Sequence, residues 1–341
     1  MAVTITDIAQ RAGVSRSMVS RALTGNGPVN AKKKEEIIAL AESMGYMPNQ
    51  AALHLRHSKS HIIGLYFSSI STATSPYVLH SVLTGVYGVI GSRYQIVVKG
   101  IDLHEPGSLN PSQYDGLLIM SQRDQDLDFL EEAFAFQIPM VAIGRRVPID
   151  IPVVTTNEAR GMEKAMGYLL DHGHRNIGII EGPPNLEATI FRHQGWIQAV
   201  RKRGYSIHQF PVVHGNYRYN SGYLAANQLV DEHPNLTAIL CFNDEMAFGA
   251  REAIAEAGLK VPDDVSLIGF DNWDLSGYNS MKLTTVERNM GEIAKEGTRV
   301  LLRRLESGVV DNSRIYLENK LIIRSTVKDI RECRTESDRE S

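Results

Sequence analysis

Two groups of residues in this sequence have types and spacing suited to chemistry. In the first, Arg16, Ser17, Ser20 and Arg21 fall on one side of a helical pattern running from Arg16 to Leu23, whose other side carries Met18, Val19, Ala22 and Leu23. Guanidinium forks can chelate guanine, and short hydroxyls take either a base edge or a phosphate, so such a face suits the major groove. In the second group, Arg192, Asn243 and Asp271 each follow a short apolar run. Phe191-Arg192-His193-Gln194-Gly195-Trp196 opens a helix after Ile177–Ile180, Phe242-Asn243-Asp244 closes another run, and Phe270-Asp271-Asn272-Trp273 a third. A fork donor, an amide and a carboxylate together can bind the hydroxyls of a polyol. Their structural alternatives are helix N-caps for Asn243 and Asp271 and a surface ion pair for Arg192. Placement at three strand ends favours a binding site. Catalytic patterns are missing: Gly85, Gly88 and Gly91 have the wrong spacing for a dinucleotide loop, and no P-loop, HExxH or serine elbow occurs. Those glycines read as helix–helix packing, and Asp171-His172-Gly173-His174 reads as a helix end with a glycine stop. The reading is a binding protein that is not an enzyme and needs no cofactor or metal.

The elements that must position these groups follow from the same residues. Thr4 and Asp7 have capping-box spacing, with Asp in place of Glu, ahead of the periodic Ile5, Ile8, Ala9 and Ala12. Gly13 can end that helix in the left-handed conformation and Ser15 can cap the next, which gives two helices joined by a three-residue turn. A third helix, about Ala31 to Met44 after Asn30, supplies Ile37, Ile38, Leu40 and Ala41 to a small core. Its Lys32-Lys33-Lys34 run is equally readable as phosphate-facing or solvated. From Ile62 onward, β-rich apolar runs (Ile62–Phe67, Ile96–Lys99, Gly116–Met120, Met140–Ile143, Ile177–Ile180, Ala238–Phe242, Val265–Phe270) alternate with helical stretches (Val78–Ile90, Glu158–Leu170, Gln194–Arg203, Ser221–Asp231, Glu245–Ala257). Such alternation implies parallel sheets covered by helices. Two doubly wound lobes with a ligand cleft between them accommodate so many strands, and ligands bind such sheets beyond the carboxyl ends of the strands.

Charge is divided between these regions. Residues 1–60 carry eight Lys or Arg against four acids, whereas the rest carries 28 against 35, a basic head on an acidic body that suits contact with polyphosphate. No apolar run reaches a membrane span, and the start MAVTITDIAQ lacks a signal-peptide pattern, so the expected compartment is the cytoplasm. Cys241 and Cys333 read as free thiols.

Residues Thr4 to Leu23, TITDIAQRAGVSRSMVSRAL, followed by GYMPN at Gly45 to Asn49, closely resemble the head of the lactose-repressor (LacI) family of bacterial regulators. The likeness continues through GHRNIGII at 173–180, the Arg192-x-x-Gly195-Trp196 group, CFNDEMAFGA at 241–250, SLIGFDN at 266–272 and LTTV at 283–286. It implies a helix-turn-helix head (1–47), a hinge helix (48–60), a two-lobed α/β effector body like periplasmic binding proteins (61–329) and a disordered tail (330–341). By position it makes Thr4, Ser15, Arg16, Ser17, Ser20, Arg21, Asn30 and Asn49 DNA contacts, and Leu55 a wedge in the minor groove. The cleft would be lined by Tyr77, Arg145, Phe191, Arg192, Asn243, Asp271, Trp273 and Arg288. Met18 stands where the family has Thr, Leu53 where it has Arg, Ser75 where it has Asn, Thr156 where it has Asp, and Arg288 where it has Gln. His54, His57 and His61 fit a polar hinge helix better than a metal site.

The implied function is transcription regulation by a homodimer that binds a palindromic operator and is switched by a sugar or sugar derivative. A protein corepressor and a solute-binding receptor are the alternatives. Without Leu heptads, the tail beyond Lys328 cannot form a coiled coil, so the expected assembly is a dimer. Arg288 would add a cation near Arg192 and Arg145 that an acidic effector, a uronate or a phosphorylated sugar, could neutralise; alternatively it turns outward or pairs with Glu287 or Glu292.

Overall fold

Thr4 starts the first helix because its hydroxyl accepts the Asp7 N–H while its own N–H donates to Asp7 Oδ2 at 2.8 Å, a reciprocal capping box. The computed structural model describes residues 3–24, 29–44, 59–71, 74–273, 282–309 and 311–331. Asn49, Leu55, the hinge through residue 58, Cys333 and the tail from residue 332 lie outside them. The chain divides into two compact units, Met1–Ser60 and His61–Ser341.

In the first unit, α1 (Ile5–Ala12) ends at Gly13, whose φ of 64° is the left-handed turn that a side chain would strain. Ser15 then caps α2 (Arg16–Thr24), its Oγ accepting the Met18 N–H at 3.2 Å, and Asn30 caps α3 (Ala31–Ser43) through Lys32 N–H at 3.0 Å. The core is Ile8, Ala9, Val19, Ala22, Ile37 and Ala41, with Leu23 and Leu40 packed around it. Ile8, Val19 and Ile37 each contribute about 1.5–3 kcal/mol by burial, and the alanines less. Met18, expected to face inward, is exposed: Val19 and Ala22 already fill this small core, and a neighbouring residue on a helix points about 100° away.

The second unit holds two six-stranded sheets. One runs in the order β11-β5-β4-β3-β1-β2, comprising β1 (Ile62–Phe67), β2 (Gln95–Gly100), β3 (Gly116–Met120), β4 (Met140–Ile143), β5 (Val153–Thr156) and β11 (Arg314–Leu317), all parallel. The other runs β12-β10-β9-β8-β6-β7, comprising β6 (Ile177–Glu181), β7 (Val212–His214), β8 (Ala238–Cys241), β9 (Ser266–Asp271), β10 (Thr284–Glu287) and β12 (Lys320–Ile322); only β12 is antiparallel. Both orders contain the flavodoxin-like pattern in which the strand sequence reverses beside the first strand, the place where such sheets bind ligands. The first lobe's sheet is covered by α4 (Pro76–Ile90), α5 (Leu127–Ala135) and α10 (Met290–Ser307). The second is covered by α6 (Glu158–Asp171), α7 (Glu187–Lys202), α8 (Tyr219–Glu232) and α9 (Asp244–Glu256).

The chain passes between lobes three times: from β5 into α6, from β10 into α10, and from β11 into β12. Several expected boundaries move. The helix expected from Gln194 starts two turns earlier at Glu187, so Phe191 and Arg192 lie within it. Gly85 does meet α10, where a Cβ would come within 2.4 Å of the Gly291 carbonyl, but within this chain nothing lies near Gly88 or Gly91. The 171–174 segment is the helix end expected, with Gly173 at a φ of 89°. Cys241 is a buried free thiol. Among the described residues no helix is long and apolar enough to cross a membrane.

Candidate functional site

The head presents a polar face on α2. Arg16, Ser17 and Arg21 are exposed and Ser20 is half-buried. Arg21 folds back along the helix, its Nε donating to the Ser17 carbonyl at 3.3 Å and its Nη2 to Ser17 Oγ at 3.4 Å. Thr4, Ser15 and Asn30 are exposed too, and each serves as a helix cap. Of the lysine run, Lys33 pairs with Glu36 at 2.9 Å, while Lys32 and Lys34 are exposed.

The second candidate site is a cavity of about 700 Å³ lined from both lobes, beyond the carboxyl ends of β3, β4, β6, β8 and β9. Arg192 lies at its floor with only 3% of its side chain exposed. Its Nε donates to Glu158 Oε2 at 2.7 Å, its Nη2 to Asp271 Oδ1 at 3.2 Å and its Nη1 to the Phe242 carbonyl, and its guanidinium covers the Phe270 ring at 3.8 Å. It is therefore a buried cluster member, not a surface ion pair. Gly195 makes this approach possible, since a Cβ there would stand 2.2 Å from the Ala159 carbonyl of α6.

Arg288 neither turns outward nor pairs with Glu287 or Glu292. Its Nε lies 2.6 Å from Glu158 Oε1 and its Nη2 donates to the Gly144 carbonyl at 2.7 Å. The Nε contact is an off-line ion pair, because the nitrogen makes no well-directed hydrogen bond. Glu158, which sequence reasoning missed, is thus the shared carboxylate of both guanidinium groups, and Asp271 does not bear the charge alone. Burial opposes the charged form of Glu158, but Arg192 and Arg288 with hydrogen bonds from Arg192 and Thr156 outweigh it, holding the carboxyl below its ordinary range. For Asp271 burial wins, and its carboxyl is pushed up despite Arg192 and Arg288. Asp271 and Asn272 carry φ values of 113° and 57°, left-handed conformations for side-chain residues of the sort that cluster at ligand sites. Arg324 holds that turn by donating to Asn272 Oδ1 at 2.7 Å.

Asn243 lines the cavity as an N-cap: its Oδ1 accepts the Met246 N–H and its Nδ2 donates to the Tyr217 carbonyl, both at 2.9 Å. Trp273 lines it, and its backbone N–H donates to Asp244 Oδ2 at 2.8 Å. Tyr77 is not part of the lining; it bridges the lobes beside it, with its hydroxyl 3.3 Å from the Asn272 carbonyl and its ring 5.4 Å from Trp273. Arg145 lines the cavity and pairs with Asp124 at 2.5 Å and Glu187 at 3.1 Å. Phe191 lies under the Arg146 guanidinium at 3.7 Å, and Arg146 pairs with Glu187 at 3.0 Å. Arg123, Arg146, Glu187 and Tyr217 are cleft residues that the sequence did not disclose; only Arg146, next to Arg145 after an apolar strand, carried a usable signal.

Residues 4–49 match the bacterial regulatory protein lacI family, and residues 166–327 match the periplasmic binding protein-like domain. The chain is 36% identical over 328 residues to the probable HTH-type transcriptional repressor ExuR of Bacillus subtilis, covering 96% of this chain and 98% of that one. It is 31% identical to the HTH-type transcriptional repressor PurR of Haemophilus influenzae over 338 residues, covering 96% and 99%. Among solved structures, the lac repressor dimer bound to operator and the anti-inducer ONPF matches with a TM-score of 0.83 at 25% identity, over 96% of this chain and 100% of that one. The transcriptional regulator CelR–cellobiose complex matches with 0.71 at 26%, over 95% and 99%. These relatives are regulators and not enzymes, in keeping with the missing catalytic patterns. The chain belongs to the lacI family of bacterial regulatory proteins and is a DNA-binding transcriptional repressor.

Proposed function

We propose that the protein binds a palindromic operator as a homodimer in the cytoplasm and that a sugar or sugar derivative in the inter-lobe cleft changes its operator affinity. The observation that carries this reading is the buried Arg192–Glu158–Arg288–Asp271 cluster. It forms the cavity floor, and Glu158 and Arg288 belong to two of the three connections between the lobes. A ligand contacting this floor has different interactions in different lobe orientations, which is what a switch requires. Cellobiose and an anti-inducer named with two relatives support a small-molecule effector. One recognition helix covers only a few base pairs, so a two-fold dimer reading two half-sites is the working unit.

The experiment is a thermal-shift screen of carbohydrates, followed by operator titration with each stabilising compound; sedimentation of the same preparation should give twice the 37.9 kDa chain mass. A hit should raise the melting temperature and alter operator affinity at least tenfold, about 1.4 kcal/mol of coupling. Hits that leave operator affinity unchanged would refute effector control, and a monomer mass on operator would refute the dimer.

A further inference from the structure

We propose that the natural ligand of the cleft is an anion, a sugar bearing a carboxylate or a phosphate, whose charge is received by Arg123, Arg145 and Arg146 on the first lobe's rim. This rests on the cleft being the effector site. Arg288 does not carry the inference, because Glu158 already neutralises it. The charge count over the cavity does: among the described residues lining it are six arginines, no lysine and four carboxylates.

That surplus is localised. Glu158 and Asp271 balance Arg192 and Arg288, and Glu245 lies 3.9 Å from Arg218. On the first lobe's rim, Arg145 and Arg146 share the single carboxylate of Glu187, at 3.1 and 3.0 Å. The other acid near them, Asp124, stands 2.5 Å from Arg145 but is 90% exposed, so water screens it. Among the described residues, no carboxylate lies within ion-pair distance of Arg123, which precedes Asp124 and lines the same cavity. Arg145, 14% exposed, is held by Asp124 and Glu187, so the surplus that an anion would meet falls on Arg123 and on Arg146, whose one carboxylate, Glu187, is shared.

The groups come from opposite sides of the cleft. Arg145 and Arg146 follow β4 of the first lobe, whereas Glu187 and Phe191 lie on α7 of the second. The Arg146 guanidinium lies over the Phe191 ring at 3.7 Å, a contact that restricts it while leaving its N–H donors for an anion. A ligand whose ring lies over Arg192 and Asp271 and whose charged end points to this rim is held by both lobes. A neutral sugar uses the floor and leaves the rim surplus to solvent.

Isothermal titration of the full chain with matched series, each a hexose, its uronate and its 6-phosphate in the gluco, galacto and manno forms, tests this at two salt concentrations. In at least one series a charged member should bind at least about tenfold tighter than its neutral parent, with an advantage that shrinks as salt rises. Which charged member binds distinguishes a carboxylate ligand from a phosphate. Arg146→Gln should remove most of that advantage, and Arg123→Gln is the second variant should the first fail to fold; the wild-type salt dependence needs neither. If neutral hexoses bind as tightly or more tightly and release operator, the anion is wrong while the effector reading stands. If no member of any series binds, both fall.

Discussion

Replacing Glu158 by Gln tests whether the cleft floor is held by one shared carboxylate. Glu158 is 6% exposed and meets Arg192 Nε at 2.7 Å, Arg288 Nε at 2.6 Å and Thr156 Oγ1 at 3.1 Å. With charge centres about 4 Å apart and an effective dielectric near 20, each guanidinium pair is worth about 4 kcal/mol before desolvation. Taking the carboxylate out of water costs several kcal/mol of that, and breaking a buried pair from one side costs about 3–5 kcal/mol. Gln keeps the volume and one acceptor, so the lower end, about 3 kcal/mol, is expected. That corresponds to roughly 6–12 °C in the melting of the body. Arg288→Gln alone should cost less, because Glu158 keeps Arg192. The decisive quantity is the double variant. It restores one cation against one anion at the floor, so its destabilisation should fall short of the sum by about 1.5–3 kcal/mol. Urea unfolding followed by tryptophan fluorescence measures all three, since Trp196 and Trp273 both lie in this lobe. A single-variant loss below about 1 kcal/mol, or additivity within about 0.5 kcal/mol, would show that Glu158 does not couple the two arginines.

Arg21→Ala should cost roughly 1–3 kcal/mol at its own base pair and relax discrimination there, and equal weakening on specific and random DNA would remove its base-reading role. His174 is buried between Thr237 Oγ1 and the Lys328 carbonyl, both at 3.0 Å, and burial lowers its pKa from 6.5 to about 4. The fold therefore favours the neutral imidazole. Its contribution of roughly 3 kcal/mol is complete above pH 6.5 and is lost as the pH falls towards 4. His174→Gln should flatten the stability profile across that window, and an unchanged slope would count against this assignment.

Six of the strands legible in the sequence, β1, β3, β4, β6, β8 and β9, are buried on both faces and read as continuous apolar runs, and the half-exposed edge strand β2 joins them because Ile96-Val97-Val98 is still an apolar β-branched run. The edge strands β7, β11 and β12 were missed: they are short and half-exposed, and their pattern is that of a loop. Missing the four-residue β5 had the larger consequence. Val153–Thr156 is four residues long and half threonine, so its pattern marks no strand end like those before Arg192, Asn243 and Asp271, and Glu158, two residues beyond, has no local signal. The partner of Arg288 was illegible for a different reason. Glu287 accepts from Asn272 Nδ2 at 3.2 Å, on the other side of a strand whose side chains alternate, and Glu292 is taken by Lys295 at 2.5 Å. Sequence proximity therefore offered two wrong carboxylates, while the correct one is supplied by a different inter-lobe connection. That is a property of the three-crossing topology. Residues remote in sequence meet where the connections cross between the lobes, so the groups that join there are those that local pattern cannot pair. Arg192 and Asp271 are legible as cleft-lining groups because each closes a local strand–helix unit, whereas the contact between Glu158 and Arg288 exists only when both lobes are built.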